Sequence, residues 1–202
     1  SDGPLVAFHA ATLDGATAAA GRIAHRPWND GRHARVAGRE PVPLFEELLE
    51  TFPDVHWNVD VKAEPALLPL LDLIGRLDAW DRVCVGSFSE ARVARAQSLA
   101  GPRLATSYGT RGVLGLRLRS LGLPAALRPS AVCAQVPVAQ SGIRVVDRRF
   151  VRAAHARGLQ VHVWTVNDRA QMGELLDLGV DGIMTDHIET LRDVLKDRGA
   201  WT

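Results

Sequence analysis

The sequence His56-Trp57-Asn58-Val59-Asp60-Val61-Lys62 alternates polar and apolar residues, which is the pattern of a half-buried β-strand. Successive side chains of a strand point to opposite faces, so the four polar residues share one face and the three apolar residues share the other. Asp60 and Lys62 therefore bring a carboxylate and an ammonium group together at the end of the strand. A strand whose polar face simply meets water has the same pattern, so this segment alone leaves both interpretations open.

Helices and strands alternate regularly in the second half of the sequence. Asp147 can cap a helix over residues 148–157, and a strand is predicted directly after it over residues 161–166. A second helix and a strand over residues 180–185 repeat the unit, and a last helix over residues 187–198 follows. Units of about twenty residues that pair one helix with one strand predict parallel strands covered by helices.

The first half of the sequence shows the same alternation less regularly. Strands are predicted at residues 5–8, 56–62, 83–87, 104–107 and 131–136. Ser89 is a good N-cap for the helix that follows the third of them. Residues 109–128 carry arginines among leucines, which predicts an amphipathic surface helix, with a phosphate or membrane contact as the alternative.

Polar residues at the ends of parallel strands are the arrangement from which an (α/β) barrel builds its active site. An open, doubly wound sheet is the competing architecture, and it usually carries a glycine-rich phosphate loop after its first strand. The sequence contains no G-x-G-x-x-G or Walker motif. We therefore predict an α/β fold, a TIM-type (α/β) barrel, built by residues 1–202 as a single domain.

The composition argues against nucleic-acid binding and against a membrane-spanning protein. The chain has 202 residues, 47% of them hydrophobic, and a formal net charge of +1, so it has no overall positive field to recruit nucleic acid. No apolar run approaches the roughly 18 residues of a membrane span, and the first residues lack the features of a signal peptide. We expect a cytoplasmic chain without a transmembrane segment. Cys84 and Cys133 lie in apolar strand-like runs, where buried structural thiols are expected.

Five motifs of this chain resemble, in order and spacing, those of the glycerophosphodiester phosphodiesterases. They are FHAATLD (8–14), NVDVK (58–62), SFS (87–89), VWTVN (163–167) and GVDGIMTD (179–186). Each motif alone is weak, but together they cover nearly the whole chain. The resemblance implies an (α/β) barrel that hydrolyses glycerophosphodiesters to glycerol 3-phosphate and an alcohol with a bound divalent cation, Mg²⁺ or Ca²⁺.

The resemblance also implies roles for particular residues. His9 matches a catalytic histidine that relays protons, Asp60 matches an acidic metal ligand, and Lys62 matches a lysine that faces the phosphate. Trp164 matches a residue that lines the glycerol side of the pocket, and Phe88 is a second candidate there. These residue types suit phosphodiester cleavage, because cationic groups offset the developing negative charge and a histidine titrates near neutrality. A solvated strand end is the alternative for Lys62, and plain core packing is the alternative for Trp164.

The chain also departs from the family pattern. In the family, the first strand ends in His-Arg, a Glu-Asn pair follows, and a second strand supplies Glu and Asp to the metal. None of these features matches a segment of this chain. We therefore expect an incomplete barrel that lacks its first two strands. Ala10 stands where family members commonly have Asp. Two function classes stay open: a metal-dependent phosphodiesterase, with the isolated chain inactive, and a catalytically silent barrel fragment with a binding role. Barrels that cleave phosphoinositides or sphingomyelin are a weaker third class.

Overall fold

A computed structural model describes residues 4–10, 12–13, 21, 28–31, 33–127 and 131–201 of the chain. The helices are α1 Trp28–Gly31, α2 Phe45–Thr51, α3 Leu67–Arg76, α4 Glu90–Ala100, α5 Thr110–Ser120, α6 Arg148–His155, α7 Arg169–Leu178 and α8 Ile188–Asp197. The strands are β1 Arg35–Val36, β2 Glu40–Pro41, β3 Trp57–Asp60, β4 Val83–Gly86, β5 Ala105–Thr106, β6 Cys133–Pro137, β7 Ala139–Gln140, β8 Ile143–Arg144, β9 Gln160–Trp164 and β10 Gly182–Ile183.

The parallel strands form one arc. They make two three-stranded sheets with the orders β3-β4-β5 and β6-β9-β10. A parallel bridge between Ser107 and Cys133 joins the end of β5 to the start of β6. The carboxyl ends of these strands therefore lie along a common edge, and the predicted alternation of parallel strands with helices is confirmed.

The strands turn one face to the helices and the other to the inside of the arc, which we call the lumen. Val83 and Val85 of β4 are buried in the apolar layer beneath the helices, so Cys84 between them points into the lumen. Asn58 is in register with Cys84, and Gln135 is in register with His162. The polar face predicted for residues 56–62 is thus part of the lumen face.

Apolar packing between strands and helices forms the core on the outer face of the arc. One cluster lies behind β3 and β4 and includes Leu49, Leu67, Ile74, Val83 and Val85. A larger cluster lies behind β6 and β9 and includes Phe150, Val161, Val163, Met172 and Leu175. Burial of these side chains is the main driving force that holds the helices on the arc.

Helix caps follow the sequence closely. The side chains of Ser89, Asp147 and Asp168 accept hydrogen bonds from backbone N–H groups in the first turns of α4, α6 and α7. The predicted caps at Ser89 and Asp147 are confirmed. Helix α7 ends at Gly179, whose φ of 90° lies in the left-handed region that glycine adopts without steric cost.

The predicted strands at residues 5–8 and 180–185 differ most from the structure. Over residues 5–8 only Val6 forms a bridge, and it pairs antiparallel with Leu44. The backbone groups of this segment bond instead to the chain before α2, with Ala7 N–H donating to the Pro43 carbonyl at 3.0 Å, so the prediction of a full strand there is wrong. Of the strand predicted over residues 180–185, only Gly182–Ile183 forms, as β10.

A helix and a hairpin complete the described elements. Helix α5 forms within residues 109–128, as predicted. The hairpin of β7 and β8 was not predicted, although its Ser141-Gly142 turn has positive φ at both residues, which is the geometry of a two-residue hairpin turn. None of the helices in the described ranges combines the length and the apolar composition that a bilayer crossing requires.

Candidate active site

An ion pair lies at the carboxyl end of β3. The Nζ atom of Lys62 is 2.7 Å from Oδ2 of Asp60, and the side chains keep 40% and 32% of their surface exposed. The structure therefore brings together the two charges that the strand pattern predicted. The lysine ammonium has three N–H donors, so the ion pair leaves donors for a second acceptor.

The peptide between these two residues is held by polar side chains from the next strand and helix. The carbonyl of Val61 accepts a hydrogen bond from Arg92 Nη1 at 2.7 Å and a second from Ser87 Oγ at 3.1 Å. Arg92 also donates to Ser87 Oγ at 2.9 Å, and its side chain is only 17% exposed. This network fixes the backbone from which Asp60 and Lys62 project.

Glu64 extends this network on the protein surface. Its carboxylate accepts from Arg95 at 2.6 Å and from Arg92 at 3.1 Å. The hydrogen bond from Arg95, followed by that from Arg92, lowers the pKa of Glu64. Helix α4 is thereby tied to the loop that follows β3.

A side-chain contact crosses the lumen below the ion pair. Gln135 Nε2 on β6 donates to Asn58 Oδ1 on β3 at 2.6 Å, although the residues are 77 positions apart in the chain. Gln135 Nε2 also lies 3.7 Å from the sulfur of Cys133. The two sheets are therefore linked through the lumen as well as along the strands.

Two thiols lie beside this amide pair. The Sγ atoms of Cys84 and Cys133 are 3.9 Å apart, and both cysteines are free. The expected burial is found for Cys133, which is 1% exposed, whereas Cys84 is only partly buried. The hydrogen bond from Cys133 lowers the pKa of Cys84, and the same hydrogen bond, together with burial, raises the pKa of Cys133.

Two aromatic rings meet at the same edge of the arc. Phe88 follows β4 and Trp164 ends β9, and their ring centroids lie 6.0 Å apart at an interplanar angle of 88°. Phe88 is 67% exposed, and Trp164 is partly buried. Edge-to-face contact of this kind is a favourable geometry for aromatic rings and leaves the face of one ring free for a ligand.

His9 lies apart from these contacts. It sits in an exposed bend after the bridge at Val6. No hydrogen bond or ion pair among the described residues connects it to Asp60 or Lys62. The structure thus brings together four of the five predicted site residues in two contacts, the ion pair and the ring pair, and leaves His9 outside both.

The described residues do not by themselves fit a divalent-cation site. Within them no group of three or more His, Cys, Asp or Glu side chains converges. Mg²⁺ and Ca²⁺ need several oxygen ligands, and Asp60 supplies one carboxylate that already contacts Lys62.

Sequence reasoning missed two groups of positioning residues. Arg92 was not singled out, because an arginine in a helix is most often a solvated residue. Asn167, to which the sequence analysis assigns no role, accepts from Asp186 N–H at 2.9 Å and from Thr185 Oγ at 3.0 Å and so joins the ends of β9 and β10. Three of the family motifs could have pointed to these residues. The motif at 87–89 contains Ser87 and precedes Arg92, the motif at 163–167 contains Asn167, and the motif at 179–186 contains its partners Thr185 and Asp186.

Comparison with known proteins gives matches over most of the chain. The sequence model of the glycerophosphoryl diester phosphodiesterase family matches residues 1–190. A Mycobacterium tuberculosis protein named "Probable glycerophosphodiester phosphodiesterase 2" is 40% identical over 204 aligned residues, which cover 99% of this chain and 77% of that protein.

Solved structures show the same fold at lower identity. A glycerophosphodiester phosphodiesterase from Parabacteroides distasonis has a TM-score of 0.73 at 22% identity, covering 98% of this chain and 80% of its own. An Oleispira antarctica phosphodiesterase, solved in complex with the product sn-glycerol-3-phosphate, has a TM-score of 0.73 at 18% identity, covering 95% and 79%. The predicted α/β fold of TIM type is thereby confirmed.

Proposed function

The chain belongs to the glycerophosphoryl diester phosphodiesterase family, and we propose that the Asp60–Lys62 ion pair is the phosphate-facing part of its active site. By family the chain is a phosphodiester hydrolase, and its proposed substrates are glycerophosphodiesters, cleaved to glycerol 3-phosphate and an alcohol. The observation that carries the proposal is an accessible ammonium group at the carboxyl end of a parallel strand, where barrels of this type place their chemistry.

Each proposed residue has a chemical task. The ammonium group of Lys62 offsets the negative charge that grows on the phosphate oxygens in the transition state. His9 transfers a proton to the departing alkoxide oxygen, a task that an imidazole can perform because it can both donate and accept a proton. Phe88 and Trp164 pack against the carbon atoms of the glycerol, and their contact at 6.0 Å supports a shared role.

We also propose that the hydrolysis depends on a divalent cation. Asp60 is proposed as one oxygen ligand of a divalent cation, Mg²⁺ or Ca²⁺. A single carboxylate binds these ions weakly, and the described residues offer no cluster that would complete the site. Turnover by this chain is therefore the part of the proposal that the release assay decides. A cytoplasmic location and a single domain over residues 1–202 stay predictions.

A catalytically silent protein that binds its ligand is the second candidate. Two observations favour it: Ala10 stands beside His9 where the family pattern has a carboxylate, and the described residues lack a cluster of metal ligands. The two candidates share a phosphate-facing Lys62 and differ in turnover.

Ligand binding and turnover, measured separately, test the proposal. Calorimetric titration with glycerol 3-phosphate is expected to show binding by the unmodified chain and an affinity at least about tenfold lower for Lys62→Met, because a charge-assisted hydrogen bond is lost. Lys196→Met is the matched control, since Lys196 is the chain's other lysine and lies in the last turn of α8. Equal affinity in the unmodified chain and Lys62→Met would contradict the proposed role of Lys62.

A second assay follows glycerol 3-phosphate release from glycerophosphocholine and glycerophosphoethanolamine with Mg²⁺, with Ca²⁺ and with a chelator. Background release under all conditions favours the silent candidate for this chain. Release that the chelator abolishes favours the metal-dependent enzyme, and His9→Ala is then expected to lower it about 100-fold.

A further inference from the structure

Acidic residues are absent from a long segment in the middle of the sequence. The chain as a whole is nearly balanced, with 24 lysines and arginines against 23 aspartates and glutamates. Between Glu90 and Asp147 there is no aspartate or glutamate, and we call residues 91–146 the acid-free segment. Eight arginines lie within it: Arg92, Arg95, Arg103, Arg111, Arg117, Arg119, Arg128 and Arg144. Positive charge is thus concentrated in one part of a chain whose total charge is close to zero.

Only some of these arginines have a carboxylate partner. Four of them form ion pairs with acids outside the segment, as at Arg117, whose Nη1 atom lies 2.7 Å from Oδ2 of Asp147. Within the described part of the chain, Arg111, Arg119 and Arg144 form no ion pair, and the last two donate to backbone carbonyls instead. A backbone carbonyl carries no net charge, so these three guanidinium groups keep an uncompensated positive charge.

Helix α5 presents leucines to solvent as well as to the core. Its inner side packs through Leu116, which is fully buried. Leu114, in contrast, is 59% exposed, and Leu121 at the end of the helix is 48% exposed. Arg111, Leu114, Leu118 and Leu121 are three, four and three positions apart, so they form one outward stripe, which we call the α5 face. A surface helix needs apolar residues only on its inner side, so this stripe does not serve the core.

The α5 face lies in the middle of the arc. Helix α5 connects β5 to β6, whereas the edge strands among the described elements are β3 and β10. The helix is held at both ends, because Thr110 Oγ1 donates to the Phe88 carbonyl at 3.5 Å and Arg117 pairs with Asp147 at the start of α6. The exposure of the leucines is therefore not the consequence of an unpaired sheet edge.

We propose that the α5 face docks on an anionic lipid surface. A bilayer interface accepts leucine side chains at the level of its head groups, and anionic head groups attract arginines. The loop after the helix adds one residue of each kind: Leu123 is 49% exposed, and Arg119 donates to the Ala125 carbonyl and so lies against this loop. Exposed leucines and uncompensated arginines thus occur side by side on one helix and its following loop.

Two other partners fit the α5 face less well. A second copy of this chain, related by a two-fold axis, would bring the same face onto itself, and the acid-free segment offers no carboxylate to separate the arginines. A nucleic acid would satisfy the arginines, but leucines neither stack on its bases nor form hydrogen bonds with them. The interface stands independently of the proposed phosphodiesterase function, because no residue of the α5 face belongs to the proposed active site.

Cosedimentation with lipid vesicles tests the proposal. Vesicles of phosphatidylcholine alone are compared with vesicles in which about one third of the lipid is phosphatidylglycerol. The unmodified chain is expected to sediment with the anionic vesicles and to stay in solution with the neutral ones. Added salt should weaken the binding, because it screens the attraction between arginines and head groups.

Substitutions on two helices locate the contact. Arg111→Gln should lower the affinity for anionic vesicles about fivefold, and Leu114→Gln should lower it at least about tenfold. Arg192→Gln on α8 and Leu68→Gln on α3 are the matched controls, since they make the same chemical changes at exposed positions of other helices, and they should bind like the unmodified chain.

Three outcomes would overturn the proposal. One is the absence of sedimentation with anionic vesicles, or equal binding to both vesicle types. Another is binding to anionic vesicles that Arg111→Gln and Leu114→Gln leave unchanged. The third is a dimer, detected by sedimentation velocity without lipid, that Leu114→Gln dissociates, because it would assign the α5 face to a second copy of the chain.

Discussion

The β3-β4-β5 sheet and the β6-β9-β10 sheet present different chemistry to the lumen. On the first, Asp60 and Lys62 carry opposite charges that remain accessible. On the second, Gln135 and Trp164 are uncharged, and burial lowers the pKa of His162, which favours its neutral form. The first sheet can therefore act on a charged ligand, whereas the second shapes the space beside it.

The two sheets also differ in what holds them. Behind the second sheet, Phe150, Val161 and Met172 are fully buried in the larger apolar cluster. On the first sheet, the end that bears the ion pair depends on hydrogen bonds from Arg92 and Ser87 to one carbonyl group. The stability of the chain and the geometry of its site therefore depend on different interactions. Some substitutions should lower the free energy of unfolding, and others should lower the affinity for ligand.

The largest effect is expected from Phe150→Ala, on the second sheet. Truncation of this fully buried ring should lower the free energy of unfolding by about 3–5 kcal/mol, because it removes apolar contacts and leaves a cavity. Phe88→Ala, which truncates an exposed ring of the same size, should change it by no more than about 1 kcal/mol, because it removes little more than the contact with Trp164. Denaturant unfolding of both variants measures the difference, and equal destabilisation would break the comparison.

The next effect concerns Arg92 on the first sheet. Arg92→Met removes a donor from the Val61 carbonyl and should weaken glycerol 3-phosphate binding about tenfold, ~1.4 kcal/mol, because the backbone between Asp60 and Lys62 loses a restraint. Arg95→Met is the matched control: it removes the same charge and the same Glu64 partner without touching Val61. Calorimetry measures both variants.

A positioning role for Arg92 requires Arg92→Met to lower the affinity while Arg95→Met leaves it unchanged. If both bind the ligand equally well, Arg92 acts only as a surface charge. If the unmodified chain does not bind glycerol 3-phosphate, the proposed function itself is at fault.

A smaller effect is expected at the cap of α6. Burial alone would raise the pKa of Asp147, but the Phe150 N–H and the Arg117 guanidinium outweigh it and lower that pKa below its ordinary value of 3.8. The stabilisation from Asp147 is therefore present above pH 3.8 and is lost as the pH falls through the folded-state pKa. Asp147→Ala should cost about 1 kcal/mol at neutral pH.

Thermal unfolding of Asp147→Ala between pH 2 and 7 measures this loss. Asp168→Ala is the control, since Asp168 caps α7 with the same geometry but pairs with no arginine in the part of the chain that the structure describes. If the melting temperature of Asp147→Ala falls with pH just as that of the unmodified chain does, the Asp147 carboxylate does not contribute to the loss of stability in acid.

The smallest effect concerns His162 on the lumen face. Because its folded-state pKa lies below the ordinary value of 6.5, the unfolded chain binds more protons below that pH, and the free energy of unfolding falls as the pH drops through 6.5. His162→Gln should flatten this part of the stability profile. Urea unfolding at pH 7.5 and 5.5 compares the two chains, and an identical decline in both would exclude His162 as its source.

Much of the fold could be predicted from local signals. Ser89 and Asp147 were recognised as caps because a cap bonds within its own helical turn. The helices and most parallel strands follow from periodicity and from glycine positions. The segment at residues 5–8 was predicted wrongly, since its apolar pattern suits a strand but its backbone partners lie at Pro43 and Phe45.

The sequence by itself determined the family, the alternation of helices and strands, and the polar face that unites Asp60 and Lys62, because these depend on residue identity and on spacing of a few positions. Only the tertiary structure decided that Asn58 meets Gln135, that Cys84 meets Cys133, and that Arg92 supports the ion pair. Those contacts join residues 77, 49 and 31 positions apart. Such pairings follow from strand order and register, which only the packed arc defines.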